Sequence, residues 1–239
     1  MENVKKYFSI ALTILRKHAI LKQSFRKEVK IPMKINFLGD SITQGAGASC
    51  EATKYVSVVG QILNCEVRNY GIGGTRIAKQ TLPSDYDQDF LGRIDKMNNA
   101  CDIVIIFGGT NDFGHGDAPL GEMEDDTEYT FYGALKSAIR KVKEKYPNSY
   151  FMMITPLHRT CENNPKGEGL KQKESALLSE YVAAIKEVTN IYNIPTLDLF
   201  NDKDFKLDNP FWLSADGVHP NDEGHRLLGE KIYDFLRNQ

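Results

Sequence analysis

Five short apolar runs recur along the chain, separated by longer stretches of helical period. Lys34–Leu38, Glu66–Tyr70, Asp102–Phe107, Tyr150–Thr155 and Pro195–Leu199 read as strands. Lys54–Leu63, Phe90–Met97, Thr130–Tyr146, Gln172–Tyr192 and Asp222–Leu236 read as helices. In the last, Leu227, Leu228, Ile232, Phe235 and Leu236 fall on one face, Asn221 suits the N-cap and Pro220 blocks an earlier start. Every residue from Ile103 to Phe107 is apolar, as in a strand covered on both sides. Strand–helix alternation around such a run predicts a parallel sheet with helices on both faces. No internal repeat is visible, and the longest predicted loop, Phe200–Val218, is a place to expect function.

The first 32 residues follow a different pattern. Val4, Phe8, Ala11 and Leu15, with Tyr7 and Ile14 beside them, predict an amphipathic helix over roughly residues 3–22. Arg16, Lys17 and His18 end the apolar run, and no small-residue cleavage site follows, so the segment does not read as a signal peptide. No run of about 18 apolar residues predicts a membrane span, and the expected location is cytoplasmic.

Charge separates the same two parts. Residues 1–32 carry eight Lys or Arg against two Glu, whereas residues 33–239 carry 22 against 30 acidic residues. The formal net charge of −2 therefore sums a basic arm and an acidic body. The body is the expected catalytic domain. The arm is a helix for docking on the body or a second copy of the chain, a membrane-surface contact, or a degenerate signal. Nothing in this balance favours nucleic acid as a partner. With 41% hydrophobic and 26% charged residues, the chain is neither collagenous nor wholly disordered. Cys50, Cys65, Cys101 and Cys161 contain no CxxC pair, which argues against a zinc site or a disulfide framework.

Ligands of open parallel sheets bind beyond the carboxyl ends of the strands. After the first predicted strand comes Gly39-Asp40-Ser41, and after the second comes Asn69-Tyr70-Gly71-Ile72-Gly73-Gly74. Gly109-Thr110-Asn111-Asp112 follows the third, and Asp216-Gly217-Val218-His219 closes the long loop. The glycines do not make a dinucleotide fingerprint, because Arg76 stands where the third glycine is needed. Together the blocks meet the needs of acyl transfer. Ser41 is a candidate nucleophile, His219 its base, and Asp216 the group that orients the imidazole. Ser41 and Gly74 offer backbone N–H groups to an oxyanion, and Asn111 offers a side-chain amide. With Gly73 adjacent to Gly74, the backbone donor could be either glycine.

These blocks resemble those of the SGNH (GDSL-type) hydrolases, named for their Ser, Gly, Asn and His. Ser41, Gly74, Asn111 and the Asp216-x-x-His219 pair match in order over about residues 33–239. The resemblance implies a flavodoxin-like three-layer α/β/α sandwich with a five-stranded parallel sheet. It also implies ester or thioester hydrolysis without a metal or cofactor, the partner being a small-molecule ester. No GxSxG elbow of the α/β-hydrolase type is present.

Phe113, His115, His158, Arg159, Phe211 and Trp212 follow or flank these blocks and are expected on the substrate rim. A mixed, polar rim suggests a short acyl group on a polar alcohol such as an acetylated sugar. A lysophospholipase or thioesterase is the alternative within the family. Two further readings are a metal phosphoesterase using Asp40, Asn111, Asp112, Asp216 and His219, and a non-catalytic carbohydrate-binding module.

Overall fold

The computed structural model describes residues 33–82 and 88–239. The amphipathic arm expected over residues 1–32 lies outside the described residues. Five strands form one sheet: β1 (Lys34–Gly39), β2 (Glu66–Gly71), β3 (Ile103–Phe107), β4 (Tyr150–Ile154) and β5 (Thr196–Leu197). Their order is β2-β1-β3-β4-β5, and every pairing is parallel. This is the flavodoxin-like order expected above. The helices are α1 (Ser41–Gln44), α2 (Tyr55–Leu63), α3 (Phe90–Ile94), α4 (Thr110–Gly114), α5 (Phe131–Lys145), α6 (Leu178–Ile191) and α7 (Asp222–Arg237).

Alternation along the strands divides the core in two. Phe37 of β1, Ile103, Ile105 and Phe107 of β3 and Met152 and Ile154 of β4 face α2 and α7. Leu38, Val104, Ile106, Phe151 and Met153 face α3, α5 and α6. The register places Phe37 beside Ile105 and Ile105 beside Met152, so neighbouring side chains form a continuous row on one face. Helix ends follow local chemistry. Asn221 caps α7 by accepting the Gly224 N–H at 3.0 Å, and Thr130 caps α5 by accepting from Gly133. Lys143 and Lys145 occupy the last turn of α5, where cations favour the helix dipole.

Three elements differ from the sequence reading by more than one residue. The helix expected from Gln172 begins at Leu178, because the preceding segment folds over the end of the sheet. There Lys171 Nζ donates to the Asp112 carbonyl at 2.9 Å and to Ser175 Oγ at 2.8 Å. α3 ends at Ile94 rather than Met97. β5 is reduced to two residues at the sheet edge, although the Pro195 carbonyl still accepts from Met153.

Ile105 is fully buried in the middle of the central strand. Ile105→Ala is expected to destabilise the fold by about 2–5 kcal/mol through lost burial and the cavity left behind. Urea unfolding should show this as a lower midpoint at an unchanged slope.

Candidate active site

The site begins where β1 ends. Gly39 leads into Asp40, whose buried carboxylate accepts the Ile42 N–H at 3.0 Å and so caps α1. Ser41 is the first residue of that helix. Thr43, two residues further on, is fixed by a 2.8 Å hydrogen bond between its hydroxyl and that of Tyr55, both side chains fully buried. His225 ties the same region to α7: its Nδ1 accepts the Tyr55 N–H at 3.2 Å, which leaves Nε2–H to donate to the Ala46 carbonyl at 3.0 Å.

The turn after β2 is laced to α1 from both directions. Asn69 Nδ2 donates to the Thr43 carbonyl at 2.7 Å, while Asn69 Oδ1 accepts the Gly71 N–H at 2.8 Å. Gln44 Oε1 accepts the Gly73 N–H at 2.9 Å. The approach is close enough that a Cβ on Gly71 would lie 2.1 Å from the backbone nitrogen of Gln44, so only glycine fits. Gly74 has a φ of 73°, the left-handed conformation that glycine adopts without strain. Gln44 occupies the Gly73 N–H. The N–H groups of Gly74 and Ser41 donate to no described residue, which separates Gly74 from Gly73 as the available donor.

Asn111 lies in α4, immediately beyond β3. Its Nδ2 donates one hydrogen to the Thr75 carbonyl at 3.0 Å. An amide nitrogen carries two hydrogens, and the second has no partner among the described residues. The next residue, Asp112, is buried and accepts from the backbone N–H groups of Ile77 at 3.0 Å and Ala78 at 2.9 Å. It therefore holds the segment after Gly74 against α4.

The last block closes over these three. Asp216 Oδ1 accepts the N–H groups of Val218 at 2.9 Å and His219 at 3.0 Å. Asp216 Oδ2 lies 2.7 Å from His219 Nδ1, and His219 Nε2 lies 2.8 Å from Ser41 Oγ. A carboxylate only accepts, so the imidazole proton belongs on Nδ1 and Nε2 is the acceptor for the serine O–H. Burial opposes the charge on Asp216, but the His219 and Val218 N–H groups and the imidazole outweigh it, holding its pKa below the ordinary carboxylate value. The loop that carries the pair is closed by Ser214 N–H donating to the His219 carbonyl at 2.8 Å. Thr160 N–H, donating to the Gly217 carbonyl at 2.9 Å, fastens it to the chain beyond β4.

Ser41, Gly74, Asn111, Asp216 and His219 thus line one cleft of about 550 Å³. Arg76, Glu168, Leu170 and Val218 also line it and were not singled out from the sequence. Glu168 is brought there by its N–H donating to the Gly114 carbonyl at 2.8 Å, a contact between segments 54 residues apart that no local pattern announces.

Among the residues expected on the rim, His115 lines the cleft and the others do not. Phe113 is fully buried against Tyr181: two residues after Asn111 is a rotation of about 200° in a helix, which carries the side chain to the core. Trp212 is also fully buried, edge-on to Phe205 with its indole N–H donating to the Lys206 carbonyl. Arg159 is buried and braces loops: it donates to the carbonyl and hydroxyl of Thr110 at 3.1 Å and pairs with Glu168. His158 pairs with Glu162 at 2.7 Å and stacks on Phe200. Phe211 is exposed but outside the cleft. Among the described residues, no group of three His, Cys, Asp or Glu side chains is arranged to hold a metal ion. No helix among them is long and apolar enough to cross a membrane.

The GDSL-like Lipase/Acylhydrolase family model matches residues 37–227, a span that contains all four blocks. The chain belongs to this family. As a GDSL-like acylhydrolase it is an ester-hydrolysing enzyme. Solved structures agree in fold. A protein from Lactobacillus plantarum is 28% identical with a TM-score of 0.74, over 89% of this chain and 99% of its own. A possible lipase from Chitinophaga pinensis is 21% identical with a TM-score of 0.68, over 86% and 98%. The lipase/acylhydrolase from Enterococcus faecalis is 23% identical with a TM-score of 0.61, over 86% and 96%. No curated protein matches this GDSL-like acylhydrolase.

Burial pushes the pKa of Asp112 up to about 6, against its two backbone donors, Arg76 and Lys171. A carboxyl raised in the folded state contributes stability that is complete below the unfolded value of 3.8 and lost as pH rises through about 6. Asp112→Asn stays neutral throughout. Whatever the fixed cost of its altered hydrogen bonds, its melting temperature should rise relative to the parent between pH 5 and pH 7. A difference independent of pH would contradict a raised Asp112.

Proposed function

We propose that the chain is a serine esterase acting through Ser41, His219 and Asp216 by way of an acyl-enzyme. The carrying observation is the continuous hydrogen-bonded line from Asp216 through His219 to Ser41 Oγ, with links of 2.7 and 2.8 Å. His219 takes the Ser41 proton as Oγ attacks the ester carbonyl. The carbonyl oxygen becomes an oxyanion facing the N–H groups of Ser41 and Gly74 and the second Asn111 amide hydrogen. His219 then gives its proton to the leaving alcohol oxygen, and the C–O bond breaks. Water, deprotonated by His219, attacks the acyl-serine, and return of the proton to Ser41 releases the acid. Asp216 keeps the imidazole in the required tautomer and stabilises its cation.

For the substrate we propose a short acyl, such as acetyl, ester of a polar or carbohydrate alcohol. Arg76, His115 and Glu168 around the cleft support a polar group next to the reacting ester. A longer acyl chain, as in a lysophospholipase or thioesterase, is the second reading. It draws support from an adjoining cleft of about 620 Å³ that shares His115 and Leu170 with the first and includes Leu82, Ala118 and Leu120.

Ser41→Ala should reduce hydrolysis of p-nitrophenyl acetate to background and abolish labelling by a fluorophosphonate, with the fold intact. Asn111→Ala should lower kcat by about 10²–10³. Full activity in Ser41→Ala would overturn the mechanism. A series of esters from about two to twelve carbons, run beside acetylated sugars, separates the substrate readings: rising kcat/KM with chain length would favour the second.

A further inference from the structure

Arg93 is a buried cation that the chemistry above does not use. It lies on α3 with 6% of its surface exposed. No carboxylate forms an ion pair with it among the described residues; Asp40 and Asp89 act on it only through space. Its guanidinium is instead satisfied by oxygens of the protein framework. Nη1 donates to the Gly39 carbonyl at 3.1 Å and to the Tyr70 carbonyl at 2.6 Å. Nη2 donates to the Gly39 carbonyl at 3.1 Å and to Thr75 Oγ1 at 2.7 Å. Nε donates to the Gln88 carbonyl at 3.0 Å.

Three of these four receivers, Gly39, Tyr70 and Thr75, flank the oxyanion site. Gly39 lies two residues before Ser41. Tyr70 lies just before the turn that presents Gly74, and Thr75 just after it. The Thr75 carbonyl in turn holds the Asn111 amide at 3.0 Å. Thr75 Oγ1, while accepting from Arg93, donates to the Ile72 carbonyl at 2.7 Å and so closes the Gly73–Gly74 turn. One side chain therefore touches two of the three segments that carry oxyanion donors and reaches the third through Thr75.

A buried charge without an ionic partner is unfavourable unless all its donors are met, and a hydrophobic side chain would fill the same space beside Phe90 more cheaply. What a guanidinium adds is geometry, because its donors are rigidly coplanar and can fix several acceptors relative to one another. Preorganised donors are effective only if they need no rearrangement as the charge develops. We infer that Arg93 is the positioning residue of the oxyanion hole, setting the separation of the Ser41 N–H, the Gly74 N–H and the Asn111 amide. This rests on the proposed roles of Ser41, Gly74 and Asn111.

The test compares Arg93→Lys, Thr75→Val, the double variant and Ser41→Ala in the full chain. Active sites are counted by fluorophosphonate titration, and kcat and KM are measured on p-nitrophenyl acetate. Lysine keeps the charge but cannot span the three acceptors. Turnover per titrated site should fall about 100-fold in Arg93→Lys with KM changed by less than about threefold, as for donors displaced from the transition state. Thr75→Val, nearly isosteric, should lose about tenfold, and the double variant should be little worse than Arg93→Lys, since both break one connection. A merely structural role would lower the melting temperature and the titrated fraction while leaving turnover per titrated site normal, and that result would overturn the inference. If Arg93→Lys does not fold, Thr75→Val decides alone: wild-type turnover there overturns it. Full activity in Ser41→Ala would instead refute the underlying mechanism, and the positioning role with it.

Discussion

β1 is hydrogen-bonded along both edges, to β2 on one side and β3 on the other. The chain leaving β1 turns toward the face covered by α2 and α7, whereas the chain leaving its neighbour β3 turns toward the face of α5 and α6. Two adjacent strands whose exits diverge leave an open crevice at their carboxyl ends. Ser41 and Asn111 stand on its two sides because each lies in the first helical turn after its strand. Their proximity is thus a property of strand order. Residues 70 apart in sequence are neighbours because Gly39 is in register with Phe107.

A crevice of this kind exposes backbone that no strand can pair, and side chains from distant segments supply the missing partners. Asp112 accepts two N–H groups of the segment after Gly74, Asn69 and Gln44 bind that turn to α1, and Arg93 covers three oxygens behind it. Asp112 and Arg93 are buried, whereas Asn69 and Gln44 are exposed. Removing Asp112 or Arg93 leaves buried partners unsatisfied, which is more damaging than the net worth of the bonds. Among the described residues the Ser41 and Gly74 N–H groups and one Asn111 hydrogen, all on residues that line the cleft, have no partner. Such a framework favours rigidity around Ser41, which is what stabilisation of a developing charge requires.

The sheet and the four blocks were legible because their signals are local. Apolar runs such as Ile103–Phe107 announce buried strands, and Gly39-Asp40-Ser41 and Asp216-x-x-His219 are contiguous. Of the expected rim only His115 was legible, because neighbours along the chain are not neighbours in space. Phe113 and Trp212 sit beside motif residues in sequence but point into the core, where their apolar surface is buried. Arg159 and His158 found partners in Glu168 and Glu162, so both side chains brace the loops. Arg76 and Glu168 were missed for the complementary reason: their positions depend on how loops after β2 and β4 fold across α4, which no periodicity encodes. The start of α6 was misplaced for the same cause, with Lys171 drawn to the Asp112 carbonyl instead of continuing a helix.

The contrast extends to the charged residues themselves. In composition Arg93 is indistinguishable from the other basic residues, and its place on a short helix would suit a solvent-facing cation. What sets it apart is that Phe90, Leu91 and Ile94 around it are all buried, so the helix has little outward face on which to place it. A five-residue helix that spends its surroundings on the core yet keeps a guanidinium among them is constrained by the acceptors it meets. Those acceptors are the carbonyl ends of β1 and β2 and the hydroxyl that closes the Gly74 turn. The strand order opens the crevice, and the buried cation behind it fixes how far apart its walls stand.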